Sequence, residues 1–285
     1  MKVLELKGVG FRYEIAPKPI VKNIHLTINK GEFIGLVGKN GVGKTTLCNI
    51  MRGLIPSFIR GEMRGEVLLE GKPIQSYSAA EKARKIGLVF QNPFIQLSGI
   101  KKTVFEEIAF GLENLGVERE EIIERVNSIL KQLKIEYLKD QHPAQLSGGQ
   151  SQRVALASVL VMEPEIILVD EPTSQLDPKG TEEVFETLGI LKEQQKTVIL
   201  VEHKIDLISE YSDRVIVMHD GRIVMDGETE TVLGSRELAG YGVKMPAVSR
   251  LAYRLEDTYN TKFDKIPTTL NDAEIEFRKV MKPNV

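Results

Sequence analysis

An α/β fold built around a mostly parallel sheet is what this 285-residue sequence predicts. Three observations carry the expectation. A glycine-rich loop stands between an apolar run and a helical pattern, further short apolar runs end in polar or acidic residues, and a stretch of helical periodicity interrupts the strands before they resume. Unbroken runs of four or five apolar residues suit strands covered on both faces.

Taken in chain order, residues 1–90 alternate short strands with turns. Val3-Leu4-Glu5-Leu6, His25-Leu26-Thr27-Ile28 and Glu66-Val67-Leu68-Leu69 read as strands, and Phe33-Ile34-Gly35-Leu36-Val37 reads as a buried one. Gly38-Lys39-Asn40-Gly41-Val42-Gly43-Lys44-Thr45 follows at once and fits GxxxxGK[ST], and Thr46-Leu47-Cys48-Asn49-Ile50-Met51 reads as the first turns of a helix. Strand, loop and helix N-terminus together aim backbone N–H groups and the positive end of a helix dipole at a polyphosphate. The expected nucleotide contacts are Gly38, Asn40, Gly41, Gly43, Lys44, Thr45 and Thr46. Glycines let the backbone wrap closely, Lys44 can bridge the β- and γ-phosphates of ATP, and Thr45 offers a hydroxyl to Mg²⁺.

Ile86-Gly87-Leu88-Val89-Phe90 reads as the next strand and ends at Gln91. Residues 91–165 then turn helical. Val104, Ile108, Leu112 and Leu115, and after them Ile122, Val126, Ile129 and Leu133, step by three or four and give each helix one apolar face. Leu146-Ser147-Gly148-Gly149-Gln150 opens a further helix through Leu160, and a helix N-terminus attracts anions. Strands resume with Ile166-Ile167-Leu168-Val169, which ends in Asp170-Glu171. Ligands of open α/β sheets sit at the carboxyl ends of strands, which places both acids near the nucleotide. Asp170 is expected to hold Mg²⁺ in its outer sphere and Glu171 to polarise an attacking water as general base. Alone, an acidic pair before Pro172 would read as the opening of a solvated loop. Val198-Ile199-Leu200-Val201 precedes Glu202-His203, and Val215-Ile216-Val217-Met218 precedes the turn His219-Asp220-Gly221-Arg222.

The phosphate loop, Gln91, LSGGQ, Asp170-Glu171, Ser174-Gln175-Leu176-Asp177 and His203 occur in the order found in the nucleotide-binding subunits of ABC transporters, and the chain clearly resembles them. The resemblance implies a P-loop NTPase of the ABC ATPase fold, with an antiparallel β subdomain, an inserted α-helical subdomain and a C-terminal helical extension. It implies that the loop beginning at Gln91 couples nucleotide to the membrane partner, that Gln91 also serves catalysis and Mg²⁺ binding, that His203 is catalytic and contacts the γ-phosphate, and that the segment ending at Asp177 crosses a dimer interface. It also places Tyr13 against adenine, a residue that by itself would read as part of a strand. Since the lysine loop already cradles the phosphates, Ser147, Gly148, Gly149 and Gln150 are expected to close over the ATP of a second cassette.

Composition fits this reading. A net charge of −2 gives no sign of a polyanion-binding surface, so nucleic acid is not an expected partner. The single cysteine, Cys48, leaves no intramolecular disulfide and is expected to be a buried apolar residue, and His25, His142, His203 and His219 show no metal-ligand spacing. No apolar stretch reaches the roughly 20 residues that span a bilayer, and the N-terminus lacks a signal peptide's apolar core. Attachment at the cytoplasmic face of the cell membrane is therefore expected to be peripheral, through partners.

The ABC ATPase domain is expected to occupy 1–235, with its helical subdomain at about 91–165, and the extension 236–285. In that extension Val248, Leu251, Leu255 and Tyr259 share one side of a helix, and a second helix is capped by Thr269 with Asp272 three residues on. An apolar stripe on so short a segment needs cover, from its own domain or from another subunit. Three stretches are similar to the ATPase subunits of energy-coupling factor (ECF) transporters, the importers of vitamins and of cobalt or nickel ions. They are Gln91-Asn92-Pro93-Phe94-Ile95-Gln96, the helix Phe105 to Gly116, and the tail from Gly242 to Ala252. That branch usually carries acids where Phe94 and Ile95 stand. The resemblance implies a second ATPase subunit, identical or related, a membrane coupling protein and a substrate-binding membrane subunit. An ordinary ABC transporter is the alternative. Soluble DNA- or ribosome-acting relatives fit less well, because there is one cassette and no sustained heptad insertion between Lys44 and Ser147.

Overall fold

The computed structural model describes residues 1–280. β1 (Lys2–Tyr13) and β2 (Val21–Asn29) open the chain as an antiparallel pair, and β3 (Phe33–Val37) leads through the glycine loop into α1 (Lys44–Met51). β4 (Gly61–Leu69) and β5 (Lys72–Pro73) return to β1 and complete an antiparallel sheet in the order β2-β1-β4-β5. After α2 (Ala79–Lys85) and β6 (Ile86–Val89) come four helices: α3 (Pro93–Gln96), α4 (Val104–Asn114), α5 (Arg119–Gln132) and α6 (Gly148–Leu160). β7 (Ile166–Asp170), α7 (Pro178–Glu193), β8 (Thr197–Val201), α8 (Ile205–Tyr211), β9 (Arg214–His219) and β10 (Arg222–Glu228) complete the second sheet. Its order is β10-β9-β3-β8-β7-β6, parallel except for the edge strand β10.

The continuous apolar strands are explained by what covers them. Every residue of β3, β6, β7 and β8 is buried, and the period-2 alternation of a strand divides their side chains between two cores. Ile34, Leu36, Leu168 and Ile199 join α1 and the antiparallel sheet on one side, while Val37, Val169, Val198 and Leu200 join the helical region, α7 and α8 on the other. α4 and α6 pack face to face, and α6 is buried along nearly its whole length.

One element departs from expectation. Residues 1–90 were expected to hold strands and turns beyond the loop helix, yet α2 lies at Ala79–Lys85. Its sequence is charged, and Lys82 is its one buried residue, so it has no apolar stripe to reveal it. Its N-terminus is fixed by Ser78 and Glu81, each side chain bonding the other's backbone N–H.

α9 (Thr229–Leu233) ends before the tail, which contains α10 (Ala247–Tyr259) and α11 (Leu270–Val280). Residues 281–285 of the expected extension lie outside the described residues. α11 starts as expected, with the Thr269 hydroxyl accepting from the Asp272 N–H at 3.1 Å and the Asp272 carboxylate accepting from the Thr269 hydroxyl at 2.8 Å. α10 buries a face offset from the apolar stripe, whose Val248 and Leu255 are only half-buried. Ser249 and Ala252 are buried, the Ser249 hydroxyl donates to the Pro267 carbonyl at 2.6 Å, and the Tyr253 hydroxyl donates to the Gly234 carbonyl at 2.5 Å. Leu251 and Tyr259 of the stripe remain exposed, as do Leu270 and Ile275 of α11. At the near end of the tail, Gly242 lies directly against the Lys39 side chain of the glycine loop.

Candidate nucleotide-binding site

The strand order β3-β8-β7-β6 sets the carboxyl ends of four parallel strands side by side. The glycine loop, Glu202-His203, Asp170-Glu171 and Phe90-Gln91 follow those ends in that order. Residues distant in sequence thus converge at one edge because hydrogen-bonded registry places them there.

Two glycines of the loop cannot be replaced without moving something. Gly38 has φ 154° with the Met218 carbonyl packed against the position of a Cβ, and Gly43 has φ 106° with the Ile20 carbonyl 2.8 Å from that position. Gly41 also has a positive φ, of 78°, but a Cβ there would meet open space. The Lys44 ammonium is buried and folds back into its own loop, donating to the Gly38 carbonyl at 2.9 Å and the Lys39 carbonyl at 3.1 Å. Burial pushes its pKa down, opposed by the charges of Glu171 and Asp170. Asn40 is exposed at the loop's crown. Thr46 is buried and shares a 2.9 Å hydrogen bond with the Tyr13 hydroxyl, which brings β1 to the start of α1. The Tyr13 ring meets Phe11 edge-on at 4.9 Å.

Glu171 is the hub. Its Oε1 lies 2.8 Å from His203 Nε2, its Oε2 accepts from Gln91 Nε2 at 2.9 Å, and Lys44 Nζ is 3.9 Å away. Its φ of 48° is in the left-handed region, uncommon for a residue with a side chain. Asp170 is 4% exposed, and its Oδ1 has no hydrogen-bond partner. Burial pushes its carboxyl above the usual range, partly opposed by the Thr45 hydroxyl bonded to it. A buried carboxylate oxygen left unpaired beside a hydroxyl fits a hard cation that keeps most of its waters, as Mg²⁺ does. Among the described residues no cluster of three or more His, Cys, Asp or Glu could form an all-protein metal cage.

The signature segment lies on a different surface. Ser147 caps α6: its hydroxyl accepts from the Gln150 N–H at 3.3 Å, and the Gln150 side chain accepts from the Ser147 N–H at 2.9 Å. Asp177 caps α7 by accepting from the Gly180 N–H at 2.7 Å. A Cβ on Gly149 would meet Gly180 Cα at 3.2 Å, so two helix N-termini lie close together with their positive ends toward one hollow. Ser147, Gly148, Gly149, Gln150 and Asp177 line that hollow, and no residue of the glycine loop does. Arg153 braces the pair of helices, 3.0 Å from Glu183 on α7 and 2.8 Å from the Tyr137 hydroxyl.

The fold therefore brings together Lys44, Thr45, Asp170, Glu171, His203 and Gln91, and keeps Ser147 to Gln150 and Asp177 apart from them. Sequence reasoning missed Glu202. It is buried, and it accepts from the His203 N–H at 2.8 Å, the Lys204 N–H at 3.2 Å and the Thr173 hydroxyl at 2.7 Å, holding the His203 segment to the loop after Asp170-Glu171. An acid beside the histidine at a strand end was the only signal for it. Cys48 is buried as expected, and burial pushes its thiol up into an unreactive state.

The ABC transporter family model matches residues 21–174. A putative ABC transporter ATP-binding protein of Pyrococcus horikoshii is 45% identical over 258 residues, 90% of each chain. The energy-coupling factor transporter ATP-binding protein EcfA of Methanocaldococcus jannaschii is 38% identical over 94% of this chain and 92% of its own. The solved CbiO1 of Clostridium perfringens, part of the ABC transporter complex CbiONQ, superposes with a TM-score of 0.73 at 33% identity, covering 88% of this chain and 98% of its own. The chain belongs to the ABC transporter family and is an ATPase of its energy-coupling factor type. It binds ATP and serves a transporter.

Asp170 yields a prediction with a definite sign. A carboxyl raised in the folded state is penalised when ionised, in full above its folded pKa and not at all below its unfolded value of about 3.9. Without nucleotide, Asp170→Asn should therefore unfold at a higher temperature than the parent at neutral pH, and the margin should vanish by about pH 4. Thermal unfolding across that range checks it.

Proposed function

We propose that this chain powers membrane import of a micronutrient, a vitamin or a transition-metal ion, through an ECF-type transporter, by ATP-driven closure of a dimer of cassettes. The observation that carries the dimer is the separation of the two anion-binding surfaces. Lys44 and the glycine loop form one, and the paired N-termini of α6 and α7 form the other, lined by no loop residue. One chain thus holds two halves of different sites. Two chains placed head to tail would sandwich each ATP between the Lys44 loop of one and Ser147 to Gln150 of the other, with Asp177 at the seam.

Within each sandwich, Lys44 would exchange its carbonyl partners for phosphate oxygens, and His203 would contact the γ-phosphate. Thr45, Gln91 and Asp170 would hold Mg²⁺, which neutralises phosphate charge when bound. Glu171 would accept a proton from the attacking water once Gln91 and His203 turn from it to metal and phosphate. Tyr13 would lie against adenine. Closure excludes water and sets the fixed dipoles of α6 against the charge developing on the γ-phosphoryl.

No described helix is long and apolar enough to cross a membrane. We place the chain peripherally at the cytoplasmic face of the cell membrane, docked on an integral coupling protein that works with a substrate-binding membrane subunit. The relatives named EcfA and CbiO1 support that branch. Phe94 and Ile95, 59% and 73% exposed on α3, supply an apolar contact for the coupling protein. The exposed Leu251, Tyr259, Leu270 and Ile275 suit a dimer contact of the 236–285 extension, and 1–235 would be the ATPase domain proper.

Glu171→Gln should retain ATP, accumulate as a closed dimer on size exclusion, and lose about 10²–10⁴ in turnover; normal hydrolysis would remove Glu171 from its role. Purification of the tagged chain from detergent-solubilised native membranes without MgATP tests the transport assignment. A coupling protein with a small membrane binder is expected. A pair of large permease subunits would point to an ordinary ABC transporter.

A further inference from the structure

Gln96 takes no part in the proposed chemistry, yet it is bonded to both halves of the machinery. It ends α3, a single turn started by Asn92, whose side chain accepts from the Phe94 N–H at 3.0 Å, and by Pro93 at the first helical position. Phe94 and Ile95 of this turn face outward, while Gln96 turns inward and is partly buried. Its Oε1 accepts from the Phe90 N–H at 3.1 Å, immediately before Gln91. Its Nε2 donates to the Ala155 carbonyl at 2.7 Å and to the Ser158 hydroxyl at 3.3 Å, both on α6. The Phe90 carbonyl faces the same helix, 3.5 Å from Gln152 Nε2.

This bonding has a defined polarity. Phe90 N–H can only donate and the Ala155 carbonyl can only accept, so the orientation of the amide is fixed, and only a side chain with one accepting and one donating end satisfies both. The exit from the turn is fixed as well. Buried Glu107 of α4 accepts from the Ser98 N–H at 2.5 Å and the Ser98 hydroxyl at 2.8 Å. Along α6, Ala155 lies six residues from Gly149, about 9 Å of continuous helix, so displacement at Ala155 is transmitted to the signature end.

We infer that Gln96 is a positioning residue that makes Gln91 of one ATP site and the signature end of α6, which serves the other, move as one body when α3 is displaced. The inference rests on the two-cassette reading above. A force on Phe94 and Ile95 reaches both sites through the Gln96 amide, which ties Phe90 to α6 more closely than the 3.5 Å contact of Gln152 does, and closing either site draws α3 with it. A bland role, in which the amide only fills polar space beneath the turn, requires stability from Gln96 but no link between nucleotide binding and closure.

Two substitutions of nearly the same size separate these roles. Gln96→Glu keeps the acceptor for Phe90 N–H but turns a carboxylate toward the Ala155 carbonyl, and Gln96→Met loses both bonds while filling the space. Each is made in the full chain and in the Glu171→Gln background. The readouts are binding of a fluorescent ATP analogue at dilute protein, steady-state kcat and KM, ATP-dependent dimer by sedimentation, and melting temperature. For both variants the inference expects analogue binding and KM within about twofold of the parent, while kcat and the dimer association constant fall by about tenfold or more, the equivalent of about 1.4 kcal/mol. If Gln96→Glu retains kcat and dimerisation within about twofold, the inference is overturned. It is equally overturned if losses in both variants merely track the melting temperature. A parent that neither hydrolyses ATP nor dimerises with it would sink the two-cassette reading itself, and this inference with it.

Discussion

A polyphosphate brings several negative charges to a place that must also hold carboxylates, and that conflict shapes the sheet edge. Lys44, Asp170 and Glu171 share one small region at the ends of β3 and β7, where burial makes the ionised forms of Lys44 and Asp170 costly. Without nucleotide the protein answers these charges with its own groups. Lys44 is held by two loop carbonyls, Glu171 by Gln91 and His203, and Asp170 keeps one oxygen unanswered. Each of these internal bonds is one that a ligand can replace, so the site is poised by the contacts it must later give up. The left-handed backbone of Glu171 is consistent with a residue held by its surroundings rather than by local preference.

The same economy explains why the signature helix stands elsewhere. Its cap is already complete, because Ser147 and Gln150 satisfy each other, and what remains available are the N–H groups of the first turn and the field of the helix. α7 packs against it through Gly149 and Gly180, so a second helix N-terminus, capped by the Asp177 carboxylate, borders the same hollow. None of the glycine-loop residues reaches this hollow. Polar links tie the hollow to the rest of the molecule, among them Arg153 to Glu183 and Tyr137 and Gln96 to Ala155 and Ser158. Glu202 plays a comparable part on the other side of the site by fixing the backbone from which His203 projects.

What was legible in the sequence was whatever leaves a local trace. Strands buried on both faces must be apolar throughout, so β3, β6, β7 and β8 were visible, and the glycine loop was visible because backbone wrapped around phosphate needs particular residues at fixed spacing. α2 was invisible because a short charged helix lying on the surface carries no stripe. The stripe of α10 is only partly covered, at Val248 and Leu255, and the most buried face is the neighbouring one of Ser249 and Ala252, where Ser249 and Tyr253 answer the carbonyls of Pro267 and Gly234. The bonding of Gln96, named only as part of a family-like stretch, and that of Glu202 lay beyond reach for another reason. Their importance consists of joining near neighbours to a distant segment, Phe90 to Ala155 through Gln96 and the His203 segment to Thr173 through Glu202, which no spacing encodes.

The central claim is that each ATP site is built from two chains. The direct measurement is ATP hydrolysis by a mixture of two variants, Lys44→Ala and Ser147→Arg, each inactive alone. If the sites are shared, the mixed dimer contains one site with an intact Lys44 from one chain and an intact Ser147 from the other, and hydrolysis returns on mixing. If each chain carries a complete site of its own, no combination of the two holds an intact site, and the mixture stays as inactive as its parts.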